Sequence, residues 1–143
     1  MAVIAAAARL RTLPPRGAKT VGILTTPEGE AIDEPIWSGV QGPARGAPGL
    51  KTTDRRMPWH QMVTALHHVE GHAAAIMRRP GGPTHAVLVL SEQPCDDIPW
   101  GCDRILPAIL PAGSRLDVYV LDTDGSVRQW KESGYTGTGE GIA

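Results

Sequence analysis

Residues 85–90 read His-Ala-Val-Leu-Val-Leu, a nearly continuous apolar run. A half-solvated strand alternates polar and apolar residues, whereas a run like this one fits a strand covered on both faces. Such a strand needs covering layers, and its flanking segments are the natural source of them. Upstream, Ala65, Val69, Ala73 and Ile76 recur at three- to four-residue spacing, which predicts a helix within 59–79. Gly71 weakens its middle, and the helix proper can begin as late as His67. Arg78 and Arg79 suit the negative end of the helix dipole, and Pro80-Gly81-Gly82-Pro83 stops it. Downstream, Ile105, Leu106 and Ile109 share one stripe of a second helix predicted over 102–110.

The remaining segments supply strands. Residues 20–26 (TVGILTT) are β-branched, 27–30 form a turn, and 31–37 return as the second arm of a hairpin. Residues 116–121 (LDVYVL) alternate, 122–125 turn, and 126–131 give a last antiparallel strand. The order hairpin, helix, buried strand, helix, hairpin is met by one mixed α/β sheet with helices packed on it. A chain of 143 residues makes one domain, 1–143, that can bury a core without staples. Residues 1–16 are expected to form an N-terminal extension, with a short helix ended by Pro14-Pro15 rather than a signal peptide. Residues 134–143, rich in Gly and Thr, are expected to be an irregular tail. Gly and Pro break every period in 38–56, and a loop of that length in a compact domain tends to carry function.

Composition excludes disorder, because 41% of residues are hydrophobic and 20% charged. No stretch reaches the length of a membrane span, so no membrane partner is expected. The net charge of −1 gives no overall signature for a polyanion. Basic residues are concentrated before residue 60; Arg45, Lys51, Arg55 and Arg56, or the pair Arg78-Arg79, are candidate phosphate contacts or an ordinary solvated surface.

The chemistry-bearing segments flank the apolar strand: His67-His68-Val69-Glu70-Gly71-His72 before it, and Pro94-Cys95 to Gly101-Cys102 after it. Each lies near a predicted helix start. Two neighbouring helix starts on one sheet can bring His68, Cys95 and Cys102 to one zinc ion, leaving its fourth position open as in catalytic sites. Glu70, two residues after His68, can then sit beside the ion as a general acid/base without ligating it. A closed Cys2His2 structural site using His72, or a Cys95–Cys102 disulfide, is open to the same residues. His-x-Glu followed by Pro-Cys and a second Cys also matches the general signature of zinc-dependent nucleobase deaminases.

The wider set resembles the DddA-like deaminases, toxin domains of bacterial polymorphic toxins in the cytidine deaminase superfamily. Leu13-Pro14 with Thr20-Val21-Gly22 resembles that family's entry into its first strand, and Ser38-Gly39 the turn after its second. His68-Val69-Glu70-Gly71, continued by 73–78, resembles its metal-and-acid motif; Cys95, Gly101-Cys102, Leu106 and Ile109-Leu110-Pro111 resemble the second metal motif and its exit. The resemblance implies a cytidine deaminase-like fold: a five-stranded mixed sheet flanked by helices, its last two strands antiparallel. It implies Zn2+ on His68, Cys95 and Cys102, Glu70 as the catalytic residue, and conversion of cytosine to uracil in DNA. It further implies interbacterial antagonism with a cognate immunity protein; a monomer, delivered by secretion and acting in the cytoplasm of a target bacterial cell, is expected. Trp37, Ser38, His67, Trp100 and Tyr135 are candidate substrate contacts.

One departure stands out: six residues separate Cys95 from Cys102, where the superfamily usually has two. Within them Asp96 and Asp97 repel phosphate, while Ile98-Pro99-Trp100 can stack on a base, wedge a strand, or simply cover the loop's own core. With one candidate wedge and no strong basic belt, single-stranded DNA is favoured over duplex. Duplex DNA, RNA or a free nucleoside, and a non-catalytic zinc-stabilised binding module are the alternatives.

Overall fold

A computed structural model describes residues 2–14, 19–39, 41–45, 48–50, 68–91, 102–130 and 134–143, with 102–104 described by backbone alone. The elements are α1 (Ala2–Thr12), β1 (Val21–Thr25), β2 (Ile36–Trp37), α2 (Val69–Arg78), β3 (His85–Leu90), α3 (Cys102–Ile109), β4 (Arg115–Leu121), β5 (Val127–Gln129) and β6 (Tyr135–Thr136). They form a mixed sheet in the order β2-β1-β3-β4-β5, with β6 also pairing β4. This is the expected deaminase-like α/β architecture, with one short strand more than the five expected.

The apolar run is the sheet's central strand. Ala86 to Leu90 are all buried, because layers cover both faces. On one side Val87 and Val89 join Val21 and Ile23 beneath Ala6, Ala7 and Leu10 of α1. On the other, Leu88 and Leu90 join Leu24, Leu116 and Val118 beneath α2 and α3. The N-terminal extension is thus a packed third layer of the domain. Helix α2 is buried at every position from Val69 to Met77. It lies among the sheet, α3 and the loop after β2, which explains its small residues Ala73, Ala74 and Ala75.

Pairing fixes the direction of both helices. Among the described residues only β3 and β4 pair in parallel. A parallel pair requires a crossover, which α3 spans, so α3 runs antiparallel to β3 and begins at the C-terminal end of that strand. Helix α2 enters β3 through the short turn at 79–84 and therefore also runs antiparallel to it. The C-terminal ends of the two helices meet where Arg78 Nη1 donates to the Ile109 carbonyl at 3.1 Å. Their N-terminal ends accordingly lie at one end of the sheet.

The tail departs from expectation. Tyr135–Thr136 pairs with Arg115 and Leu116 as β6, and the chain beyond it closes the C-terminal end of α3. N–H groups of Thr138, Gly141 and Gly139 donate to the carbonyls of Pro107, Ala108 and Leu110 at 2.7, 2.9 and 3.0 Å. Those carbonyls have no acceptor role within the helix, so the tail satisfies what the helix leaves open. Leu50 and Ile142 form an isolated bridge, which also ties the tail to the long loop. Among the described residues no helix is long and apolar enough to cross a membrane.

Candidate active site at two helix starts

The end of the sheet where α2 and α3 begin is also where β3 delivers the chain into the segment containing Cys95. Ser91 fixes that departure: its N–H donates to the Val21 carbonyl at 2.9 Å, and its Oγ accepts the Val21 N–H at 3.0 Å. The start of α2 is seated against β1 through Gly22. A Cβ there would lie 2.5 Å from Val69 Cγ1, 3.0 Å from Leu88 Cδ1 and 3.1 Å from Leu90 Cδ2. Glycine is required by this approach of the first helical residue to the strand.

His68 is the N-cap of α2, with extended backbone and no side-chain bond capping its own helix. Glu70 lies in the first turn, buried at 3% exposure, where the amide dipoles favour a negative charge. Cys102 is the first residue of α3. The fold thus brings His68, Glu70 and the backbone of Cys102 to one end of one sheet. Cys95, His67, Trp100 and the side chain of Cys102 lie outside the described residues. Among the described residues no three His, Cys, Asp or Glu side chains are grouped to hold a metal. One imidazole and two thiolates are nevertheless a zinc-type donor set, and the two helix starts suit it.

His72 is fully buried and engaged with backbone. Its Nδ1 accepts the Ala44 N–H at 3.0 Å, which leaves Nε2 to donate to the Gly39 carbonyl at 2.8 Å. A zinc ligand would have to give up one of these bonds, so the geometry disfavours a closed four-ligand site that includes His72.

Trp37 and Ser38 line a surface groove of about 270 Å³ together with Lys19, Gln41 and two carboxylate residues, Asp33 and Glu34, and the Trp37 ring also packs against the core cluster beneath α1. The Ser38 hydroxyl oxygen accepts the Thr20 N–H at 3.0 Å, extending the β1–β2 pairing by one residue. Tyr135 is placed elsewhere: at 1% exposure it belongs to the core between the sheet and helices α2 and α3, so its ring meets protein rather than solvent. The pair Arg78-Arg79 is engaged internally. Arg78 Nε donates to the Pro48 carbonyl at 3.1 Å, and burial pushes its guanidinium pKa down to about 10. Arg79 pairs with Asp33 at 3.2 Å. Both lie at the end of α2 remote from His68, which removes them as phosphate contacts beside the site.

Three positioning features escaped the sequence reading. Ser91 and Gly22 each looked like one ordinary residue of a strand or its end. His72 read as a possible ligand of a closed Cys2His2 site. Its partner is backbone 28 residues away, and a backbone partner leaves no mark in composition.

The family model for SCP1.201-like deaminases matches residues 1–136. No curated protein matches the chain. The matched span takes in α1, the sheet, both helix starts, Glu70 and both cysteines, and ends just before the tail segment that closes α3. Covering nearly the whole domain, that match places the chain in the SCP1.201-like deaminase family.

Proposed function

We propose that the protein is a zinc-dependent cytosine deaminase that converts cytosine to uracil in DNA and favours single strands over duplex. The observation that carries the catalytic reading is the common end of α2 and α3, where His68, Glu70 and Cys102 start the two helices beside the exit of β3. His68, Cys95 and Cys102 would hold the zinc. Bound there, zinc supplies a Lewis acid that lowers the pKa of water towards neutrality.

The chain's own residues then do the proton work. Glu70 takes a proton from the water that attacks C4 of cytosine, passes it to the ring nitrogen, and assists departure of the amine as ammonia. Its burial beside the helix N-terminus keeps that carboxylate away from bulk solvent. The groove lined by Lys19, Ser38 and Gln41, with Asp33 and Glu34 on its acidic side, offers a polar wall for a strand, while the Trp37 ring packs on the α1 side of the sheet. DNA as substrate follows from the resemblance to DddA-like deaminases. So does the biology: a secreted bacterial toxin domain, acting in a target cell's cytoplasm and neutralised by an immunity protein.

The test is to incubate zinc-loaded protein with cytosine-containing single-stranded and duplex oligonucleotides, then treat with uracil glycosylase and alkali. Strand cleavage at cytosines, faster on the single strand, is expected. Intact oligonucleotides of both kinds would overturn the DNA deaminase reading.

A further inference from the structure

The segment 42–45 is a turn closed by the Arg45 N–H donating to the Gly42 carbonyl at 3.1 Å, with Pro43 in its favoured second position. On the outer side Arg45 Nη1 donates to Gln41 Oε1 at 2.9 Å. On the inner side Ala44, 1% exposed, turns its N–H to His72 Nδ1. Gly39, at the start of the same loop, receives the other ring nitrogen. One imidazole therefore bridges two points of the loop five residues apart. Gly42 lies against that ring: a Cβ on it would come 2.8 Å from Cε1 and 2.9 Å from Nδ1, and its φ of +140° is one that favours glycine.

The loop so held carries Gln41, Gly42 and Pro43, which form one wall of the groove that begins at Trp37. His72 sits one helical turn beyond His68, and its N–H donates to the His68 carbonyl at 3.1 Å. The clasp thus joins the groove wall to the turn that bears the candidate site.

We infer that His72, as the neutral Nε2–H tautomer, is a positioning residue that locks Gly39 and the 41–44 segment into the wall of a substrate groove, from the same helix that carries Glu70. This rests on the proposed deaminase reading for its kinetic consequence, but not for the clasp itself. A loop held in its binding-competent form only a tenth of the time weakens apparent affinity about tenfold, without changing the chemistry once substrate is bound. The inference thus separates KM from kcat.

The experiment compares wild type with His72→Leu, His72→Gln and Gly42→Ala, each zinc-loaded. His72→Leu removes both bonds. His72→Gln keeps one donor and one acceptor, and Gly42→Ala disturbs the clasp from the loop side. Amide hydrogen exchange over 39–45 and deamination kinetics on a single-stranded cytosine oligonucleotide are read together. Faster exchange at Ala44 and about tenfold higher KM are expected in His72→Leu and Gly42→Ala, with kcat within about twofold. His72→Gln should recover most of both, and zinc content should stay at one per chain throughout. Unchanged exchange at Ala44 in His72→Leu would overturn the clasp. A fall in kcat at constant KM, or loss of zinc in His72→Leu, would overturn the positioning role. If wild type deaminates nothing, the functional reading falls while exchange still decides the clasp.

Discussion

Adding one methyl group at Gly22 tests how the site is held. The backbone of β1 meets the first residue of α2 there, and a Cβ would fall 2.5 Å from Val69 Cγ1. Valine in a helix keeps strongly to one χ1 well, so the side chain cannot swing clear. Leu88 and Leu90 are both fully buried and close off the other directions. Overpacking of this kind costs about 1–3 kcal/mol, and replacing glycine in a strand returns roughly 0.5–1 kcal/mol. Gly22→Ala should therefore destabilise the domain by about 1–2 kcal/mol, lowering Tm by roughly 3–8 °C for a chain of this size. The displacement falls on Val69, which stands between His68 and Glu70, so turnover should drop further than stability does, by about tenfold or more. Thermal denaturation followed by circular dichroism, with single-turnover deamination well below Tm, reads both. The double variant Gly22→Ala, Val69→Ala makes room for the new methyl and should recover part of each loss, a coupling expected only for residues in contact. A Gly22→Ala protein with unchanged Tm and rate, or strictly additive losses in the double variant, would refute the packing argument.

Glu70→Gln preserves shape but cannot move the proton. It should lower kcat by at least about a hundredfold while retaining one zinc per chain by metal analysis. Removal of residues 138–143 strips the donors from the Pro107, Ala108 and Leu110 carbonyls; at about 1 kcal/mol each this costs roughly 3 kcal/mol and lowers Tm by about 10 °C. Chelation of zinc should abolish deamination, and zinc rather than magnesium should restore it, as a thiolate and imidazole donor set requires.

The parts of this fold that follow a period were legible in the sequence. The central strand at 85–90 declared itself by being apolar on both faces, and the helix after it by the stripe Ile105, Leu106, Ile109. The hairpin at 116–131 showed in its alternation, although Asp117 turned out buried, with carboxylate oxygens held by His85 at 2.8 Å and Arg115 at 3.0 Å. What escaped was interaction with no period. The tail has the composition of a loop, and its order comes from N–H groups that meet helix carbonyls some 30 residues away. His72 falls in a motif-rich stretch that invites a metal role, yet two backbone groups of a distant loop claim it. Of the site itself, His-x-Glu and the cysteine pair were visible as words. What brings their two helix starts to one end of the sheet is the parallel run of α2 and α3, which only strand pairing reveals.

That convergence of two helix starts is the centre of the account, and a crystal structure of the zinc-loaded protein, with anomalous data at the zinc edge, tests it most directly. The expected result is one zinc held by His68, Cys95 and Cys102, with the Glu70 carboxylate beside it outside the ligand set and His72 still bonded to Gly39 and Ala44. Zinc bound through His72, or a disulfide joining Cys95 to Cys102, would contradict it.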